Sequence, residues 1–347
     1  MPARDVIADL RRIAFLLEAA HEPGYRVRAF RGAADTLAGM SADELAARAA
    51  AGTLRELPGI GEVLERTILE SIRDEEPVYL RRLEATGGRP AVAAGDELCA
   101  ALRGDLHVHS DWSDGGSSIR EMAETARDFG HEYMVLTDHS PRLTVANGLS
   151  PDRLRQELDV VAELNAELAP FRILTGIEVD ILSDGALDQE PELLSRLDVV
   201  VGSVHSELRM PAEPMTRRMV AALANPHLDV LGHITGRLKV RRRPRPESTF
   251  DAEIVFAAAA RFDKAIEINS RPERGDPPKR LLRLAVEAGC RVSIDSDAHA
   301  PGQLAWQPFG CERAARCGVP AASVVNTWPV EELLAWTASH EEAQAPA

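Results

Sequence analysis

Positive charge is in short supply in this 347-residue chain: 40 Lys and Arg stand against 55 Asp and Glu, a net of -15, and no lysine occurs before Lys239. That balance excludes a protein that coats nucleic acid or anionic membrane by bulk electrostatics. Any anionic ligand must be captured locally, and divalent cations held by acidic side chains would reverse the field at one place. Cysteine is scarce as well. Cys99, Cys290, Cys311 and Cys317 form no C-x-x-C pair, so they read as packed thiols of a reducing, cytoplasmic protein. No charged-then-apolar secretory signal opens the chain. No apolar run approaches the roughly 18 residues that a membrane span needs, so no membrane partner is expected.

The chain divides by pattern. Residues 1–85 read as helices only, at Ile7–Leu17, Ala29–Leu37, Ser41–Ala50 and Glu62–Arg73, with Leu57-Pro58-Gly59-Ile60-Gly61 between the last two. Residues 86–104, with Gly87-Gly88, Pro90 and an alanine-rich run, read as a linker. From Asp105 to about residue 335, short β-branched runs alternate with amphipathic stretches, the signature of βαβ units around a parallel sheet. Residues 336–347 read as a tail. The strand candidates are Asp105–His109, Tyr133–Thr137, Ile173–Val179, Val199–Val204, Val230–Leu231, Ala265–Asn269 and Val292–Ile294. Helices are expected at Ser118–Phe129, Pro151–Leu168, Met215–Ala224, Ala252–Arg261 and Pro278–Ala288, capped in the first two cases by Ser117 and Ser150. Seven such strands predict an α/β barrel.

In barrels of this kind the chemistry sits at the C-terminal ends of the strands. Strand one closes on His107-Val108-His109, whose imidazoles share a face because side chains alternate. Asp114 follows in a turn. Strand two ends at Asp138-His139, strand three reaches Glu178, strand four His205, strand five His233, and the last strand runs into Asp297 and His299. Six of the ten histidines thus close a strand. So many clustered titratable groups would be costly without a metal. One catalytic ion takes about three protein ligands, so nine candidates predict two or three ions, and the mix of imidazole and carboxylate suits Zn, Mn or Fe. Adjacent dications suit hydrolysis of phosphate esters, since together they activate water and stabilise both the phosphoryl group and the leaving oxygen.

The motifs Asp105-Leu106-His107-Val108-His109-Ser110, Ser113-Asp114-Gly115, Thr137-Asp138-His139-Ser140, Gly176-Ile177-Glu178-Val179-Asp180, Ser203-Val204-His205-Ser206, Gly232-His233 and Asp295-Ser296-Asp297-Ala298-His299 occur in that order. The region 105–335 resembles the polymerase and histidinol phosphatase (PHP) family, most closely the PHP domain of bacterial family X DNA polymerases. The resemblance implies a distorted (β/α)7 TIM-like barrel with a trinuclear centre. It puts His107, His109, Glu178 and Asp297 on one ion, Asp114, His139 and His299 on a second, and Glu178, His205 and His233 on a third. Tyr25 to Ala34 and Leu57–Gly61 resemble the small all-α helix-hairpin-helix domain of those polymerases. The resemblance therefore implies DNA as a partner. The polymerase palm is missing between the two regions, and the lysine of lyase-active relatives falls at Thr67, so neither synthesis nor lyase chemistry is expected.

Several residues carry two readings at this level. The hairpin at Gly59 and Gly61, with Arg28 and Arg31 nearby, could grip a DNA phosphate through free N–H groups or serve as a scaffold. Residues 1–85 carry 12 Arg against 15 Asp and Glu, so any grip is modest and salt-sensitive. The basic run from Arg237 through Arg241 and Arg242 to Arg245 is either a solvated face or a substrate-phosphate site, with Arg237 the leading catalytic and substrate-binding candidate. Asn269 is a substrate contact or a structural strand end. Asp138 is a catalytic residue orienting an imidazole or a turn former. The substrate stays open between DNA ends or abasic sites and a small phosphomonoester such as histidinol phosphate or a nucleotide.

Overall fold

A computed structural model describes residues 4–86, 92–240 and 244–342, and the chain separates into two compact units, 1–91 and 92–347. The first holds five helices: α1 (Val6–Ala19), α2 (Gly24–Ala38), α3 (Ala42–Ala51), α4 (Glu62–Ile72) and α5 (Val78–Ala85). Leu10, Ile13, Leu17, Phe30, Leu37, Leu54, Ile60, Leu64 and Ile68 form its core. Asp5 caps α1 through bonds from the Ile7 and Ala8 N–H groups, and Ser41 caps α3 through Glu44 N.

The second unit opens with α6 (Asp96–Ala101), which lies in the segment read as a linker. Leu98, Cys99 and Leu102 pack against Ile268, Val292 and Cys311 of the barrel, so the C-terminal part of that segment belongs to the barrel unit, because its apolar residues have a core to join; Gly87-Gly88 and Pro90 lie outside the described residues. Then follow β1 (Gly104–Val108), α7 (Ile119–Asp128), β2 (Tyr133–Leu136), α8 (Pro151–Leu168), β3 (Arg172–Asp180), α9 (Pro191–Leu194), β4 (Val199–Ser203), α10 (Ala212–Leu223), β5 (Val230–Leu231), α11 (Ala252–Arg261), β6 (Ala265–Asn269), α12 (Lys279–Glu287), β7 (Arg291–Asp295), α13 (Gln307–Cys317) and α14 (Val330–Glu342). The segment read as a tail begins inside α14, where Trp336 and His340 are buried. Ser118, not Ser117, caps α7, because Ser118 and Glu121 form the S-x-x-E spacing and Ser118 Oγ accepts Glu121 N at 3.3 Å.

All seven strands are parallel, in the order β1 to β7. This is the expected α/β barrel with a helix-hairpin-helix unit ahead of it. Closure between β7 and β1 is made largely by side chains. Asp295 accepts the Leu106 N–H, Asp105 accepts Ser296 N, and Asn326 Nδ2 donates to Asp295 and to the Gly104 and Ile294 carbonyls. Alternation then sorts the strands. Outward residues such as Ile177, Val179, Val200, Leu231 and Ile266 pack on Met215, Met219, Val255 and Phe256 of the helices, while inward Leu106, Tyr133, Val135, Leu174, Val199, Val201, Val230 and Ala265 fill the bottom with Leu333 and Trp336 of α14. Farther along the same strands the inward positions turn polar: Glu178, Ser203, Glu267, Asn269 and Asp295, all buried. The interior is thus apolar at the N-terminal end and chemically loaded at the C-terminal end.

Candidate metal centre

The predicted ligands converge at the C-terminal end of the strands. Glu178, carried inward by β3, is the hub: its Oε2 lies 3.3 Å from His107 Nε2, 3.5 Å from His109 Nε2 and 3.0 Å from His139 Nδ1, and its Oε1 lies 3.2 Å from His205 Nε2 and 2.9 Å from His233 Nε2. Five imidazoles therefore face one carboxylate. Asp114 Oδ1 stands 3.5 Å from His139 Nε2 and 3.3 Å from His299 Nε2, and Asp297 Oδ1 stands 3.6 Å from His109 Nε2 and 3.5 Å from His299 Nδ1. Asp297 and His299 do not continue a strand, since β7 ends at Asp295; Asp297 takes φ 53°, a left-handed conformation that costs a non-glycine residue energy and recurs where function requires it.

These contacts fit metal ions better than they fit one another. Ligand atoms about 2.1 Å from one ion lie about 3 to 3.5 Å apart, the spacing found here. His107 Nε2, both ring nitrogens of His109 and of His233, His139 Nδ1, His205 Nδ1 and Glu178 Oε1 are buried without a hydrogen-bond partner among the described residues. Buried polar atoms are rarely left so. Three groups bring ligand atoms within 4.8 Å of one another: His109, Asp114, His139 and His299; His107, His109 and Asp297; and His139, Glu178 and His205. His109 and His139 thus stand between groups, where the resemblance had assigned each to one ion. Burial alone would raise the Glu178 carboxyl, but the His107, His205 and His139 imidazoles hold it well below the usual range. Asp297, equally buried, is held down by Arg271, Arg274 and His107. Both carboxylates stay charged, as ligands must be.

A supporting layer orients the imidazoles. His107 Nδ1 lies 2.6 Å from Glu267 Oε1, which directs Nε2 toward Glu178, and the other oxygen of Glu267 accepts the His233 backbone N–H. Asp180 accepts His205 N at 3.0 Å. Glu267 went unread in the sequence, although it stands two residues before Asn269 and so shares its inward face. Asn269 is committed within the protein, as the strand-end reading has it: its Nδ2 donates to Asp297 Oδ2 at 2.9 Å and to Glu267 Oε2 at 3.2 Å, and its Oδ1 accepts Arg271 N. Nor does Asp138 orient an imidazole. Its oxygens accept Ser110 N at 2.9 Å, Ser110 Oγ at 2.5 Å and Ser113 Oγ, so it shapes the turn that carries Asp114.

The basic residues are redistributed. Arg237 donates Nε to the Arg274 carbonyl at 3.0 Å, Nη2 to the Gly275 carbonyl, and Nη1 to Glu247 Oε1 at 3.1 Å; it braces the loop after β6 instead of facing the centre. Arg241 and Arg242 lie outside the described residues. The cations that do reach the centre come from that loop. Arg271 Nη1 lies 3.4 Å from Asp297 Oδ1 and 3.1 Å from His299 Nδ1, and Arg274 Nε lies 3.1 Å from Asp297 Oδ2 with Nη1 buried and unpartnered. The segment Arg271-Pro272-Glu273-Arg274 directly following β6 was the available signal.

In the helical unit, Gly59 takes φ 78° and Gly61 is the N-cap of α4, with no side chain to cap it; nothing lies within 4 Å of a Cβ built at either. Gly61, Glu62 and Val63 at the start of α4 are exposed. Arg28 is exposed, but Arg31 is committed inward as a fork on buried Glu18, at 2.6 and 3.0 Å.

A PHP-domain family model matches residues 105–271, and a helix-hairpin-helix model matches residues 1–76. A protein of Acetivibrio thermocellus named as a probable phosphatase is 31% identical over 232 residues, 64% of this chain and 90% of its own length. The chain belongs to the PHP family. The DNA polymerase/3'-5' exonuclease PolX of Bacillus subtilis is 40% identical over 235 residues, 68% of this chain but only 41% of the polymerase. A solved structure titled as the putative histidinol phosphatase of Listeria monocytogenes aligns with TM-score 0.45 at 17% identity, covering 58% of this chain and 97% of its own. As a PHP-domain phosphoesterase the protein is a metal-dependent hydrolase of phosphoric esters.

Proposed function

We propose that the barrel hydrolyses phosphate esters of DNA, as a 3'–5' exonuclease, 3'-phosphatase or abasic-site endonuclease, with three divalent ions of Zn, Mn or Fe held by His107, His109, Asp114, His139, Glu178, His205, His233, Asp297 and His299. The observation that carries the DNA reading is the pairing of a helix-hairpin-helix unit with the phosphoesterase barrel in one chain. Bound ions would supply Lewis acidity, lowering the pKa of water and neutralising charge on the phosphoryl oxygens. Glu178, faced by five imidazoles, and Asp297, held charged by Arg271 and Arg274, would supply the carboxylate ligands to those ions. Arg274 lies beside Asp297 with Nη1 buried and unpartnered, and would hold a phosphoryl oxygen by a charge-assisted bond. Glu267 holds the His107 imidazole in a fixed orientation, and Asp180 anchors the His205 backbone. The N–H groups at the start of α4, after Gly61, can donate to a DNA phosphate.

A second reading, hydrolysis of a small phosphomonoester, is favoured by the relatives named as phosphatases and by the acidic balance of residues 1–85. Mn- or Zn-loaded protein assayed on a 3'-recessed duplex, an abasic duplex and a phosphomonoester panel separates the two. Deleting residues 1–85 should impair DNA cleavage and spare monoester hydrolysis; equal DNA cleavage after deletion sinks the first reading.

A further inference from the structure

Behind the loop that presents Arg271 and Arg274 to the metal centre lies a separate cavity of about 370 Å³, lined by Arg237, Lys239, Lys279, Arg313 and Arg316 with a single carboxylate, Glu312. Glu312 is already paired, at 2.6 Å, with Arg316. The other heads crowd one point: a methyl group built on Gly275 would lie 2.5 Å from Lys239 Nζ, 3.0 Å from Arg313 Nη2 and 3.3 Å from Arg237 Nη2. Gly275 is thus a position where only hydrogen leaves room for three cations to meet. Arg237 has Glu247 as counter-ion. Among the described residues Lys239 and Arg313 form no ion pair, and Arg313 has only the Pro277 carbonyl at 3.4 Å. The nearby Asp276 carboxylate is turned to Thr235 N and Oγ. Burial and then the Arg237 charge lower Lys239 and bring Arg313 down to about 10, against a partial pull from Asp276 in both cases.

Converging cations from three chain segments, two of them (Lys239 and Arg313) without an ion pair among the described residues, and open space in front of them describe an anion site built for several oxygens. We propose that this pocket binds a phosphate oxyanion at a site distinct from the metal centre, and that its natural occupant is a substrate phosphate remote from the bond being cleaved. That occupant rests on the DNA reading above: Arg274 faces the centre while Gly275, the next residue, floors the pocket, so one loop addresses both. A small monoester has no second phosphate to place there. Free inorganic phosphate offers the same chemistry and is the alternative source.

The test compares the metal-loaded full chain with Arg313→Ala and, as a second variant at a less buried position, Lys239→Met. Calorimetric titration with inorganic phosphate should show one bound equivalent fewer in either variant, while p-nitrophenyl phosphate turnover stays within about twofold. On an oligonucleotide, KM should rise roughly fivefold with kcat retained, and the slope of log KM against log salt should fall by about 1. Loss of the phosphate equivalent with an unchanged oligonucleotide KM assigns the pocket to free phosphate. Wild-type phosphate stoichiometry together with wild-type KM and salt slope overturns the proposal. A wild-type chain that cleaves no oligonucleotide removes the DNA reading, and the phosphate titration still decides the pocket.

Discussion

The barrel holds two buried clusters of histidine and carboxylate, one at each end, and they differ in a single respect. At the N-terminal end of the strands, His340 of α14 meets Asp229 Oδ1 at 2.7 Å through Nδ1 and the Asp263 carbonyl at 3.1 Å through Nε2. Asp229 Oδ2 accepts Val200 N at 2.8 Å, and Lys264 Nζ donates to the Pro226 carbonyl at 3.3 Å. Every nitrogen of that imidazole is used. At the C-terminal end, His109 and His233 have neither ring nitrogen hydrogen-bonded. The same residue types are a strut where the hydrogen bonds close and a metal site where they stay open, which fits the division of barrels into a stability face and a catalytic face.

The sharpest break between the two ends should come from Glu178→Gln. Neutralising the hub removes the charge that five imidazoles face, and turnover on any phosphate ester should fall on the order of 10³-fold or more, with bound metal lost by mass spectrometry of the acid-digested protein. Full metal content with turnover within tenfold of wild type would erase the distinction drawn here. Arg274→Ala comes next. Losing one charged donor to the phosphoryl group should lower kcat/KM about 100-fold, about 2.7 kcal/mol, with metal content intact; a change in stability alone would make Arg274 a strut like His340.

The catalytic end was legible from sequence and the structural end was not, for a physical reason. Histidines that close parallel strands are ordered by one-dimensional position, because each strand delivers its last residues to one rim. His107, His109, His139, His205 and His233 needed only the strand pattern to be gathered. The partners that finish the site come from loops or from an inward strand position short of the rim: Glu267 was hidden in an apolar-looking run, and Arg271 and Arg274 depend on a loop path that periodicity does not encode. Arg237 misled because adjacency to His233 says nothing about the direction a long side chain takes, and here the Gly275 and Arg274 carbonyls drew it away. His340 stands in a stretch that read as a tail, since only the burial of Trp336 and Leu333 inside the barrel makes it helical.

The structural end should answer to stability measurements alone. His340→Ala leaves Asp229 buried without its partner and should cost about 3 kcal/mol in urea unfolding, with kcat on a phosphomonoester unchanged. A loss of turnover without a loss of stability would join the two clusters functionally.

Lys264 gives the smallest and most specific effect. It is almost wholly buried, and burial lowers its pKa from 10.5 to about 8. The folded state therefore holds this proton less tightly than the unfolded state does. The resulting penalty is full below pH 8, shrinks as pH rises, and is gone above 10.5, so this residue makes stability increase with pH across that window. At about 1.36 kcal/mol per unit the penalty is at most about 3 kcal/mol, and a methionine would give up the Pro226 bond, about 1 kcal/mol. Lys264→Met should thus gain about 1 to 2 kcal/mol at pH 7, and the gain should vanish or reverse by about pH 10. Paired urea titrations of wild type and variant at the two pH values isolate the residue, because every other titrating group cancels in the difference. A gap that is the same at both pH values would mean that Lys264 is already neutralised by a neighbour, and that the strut end, like the metal end, is held by charge.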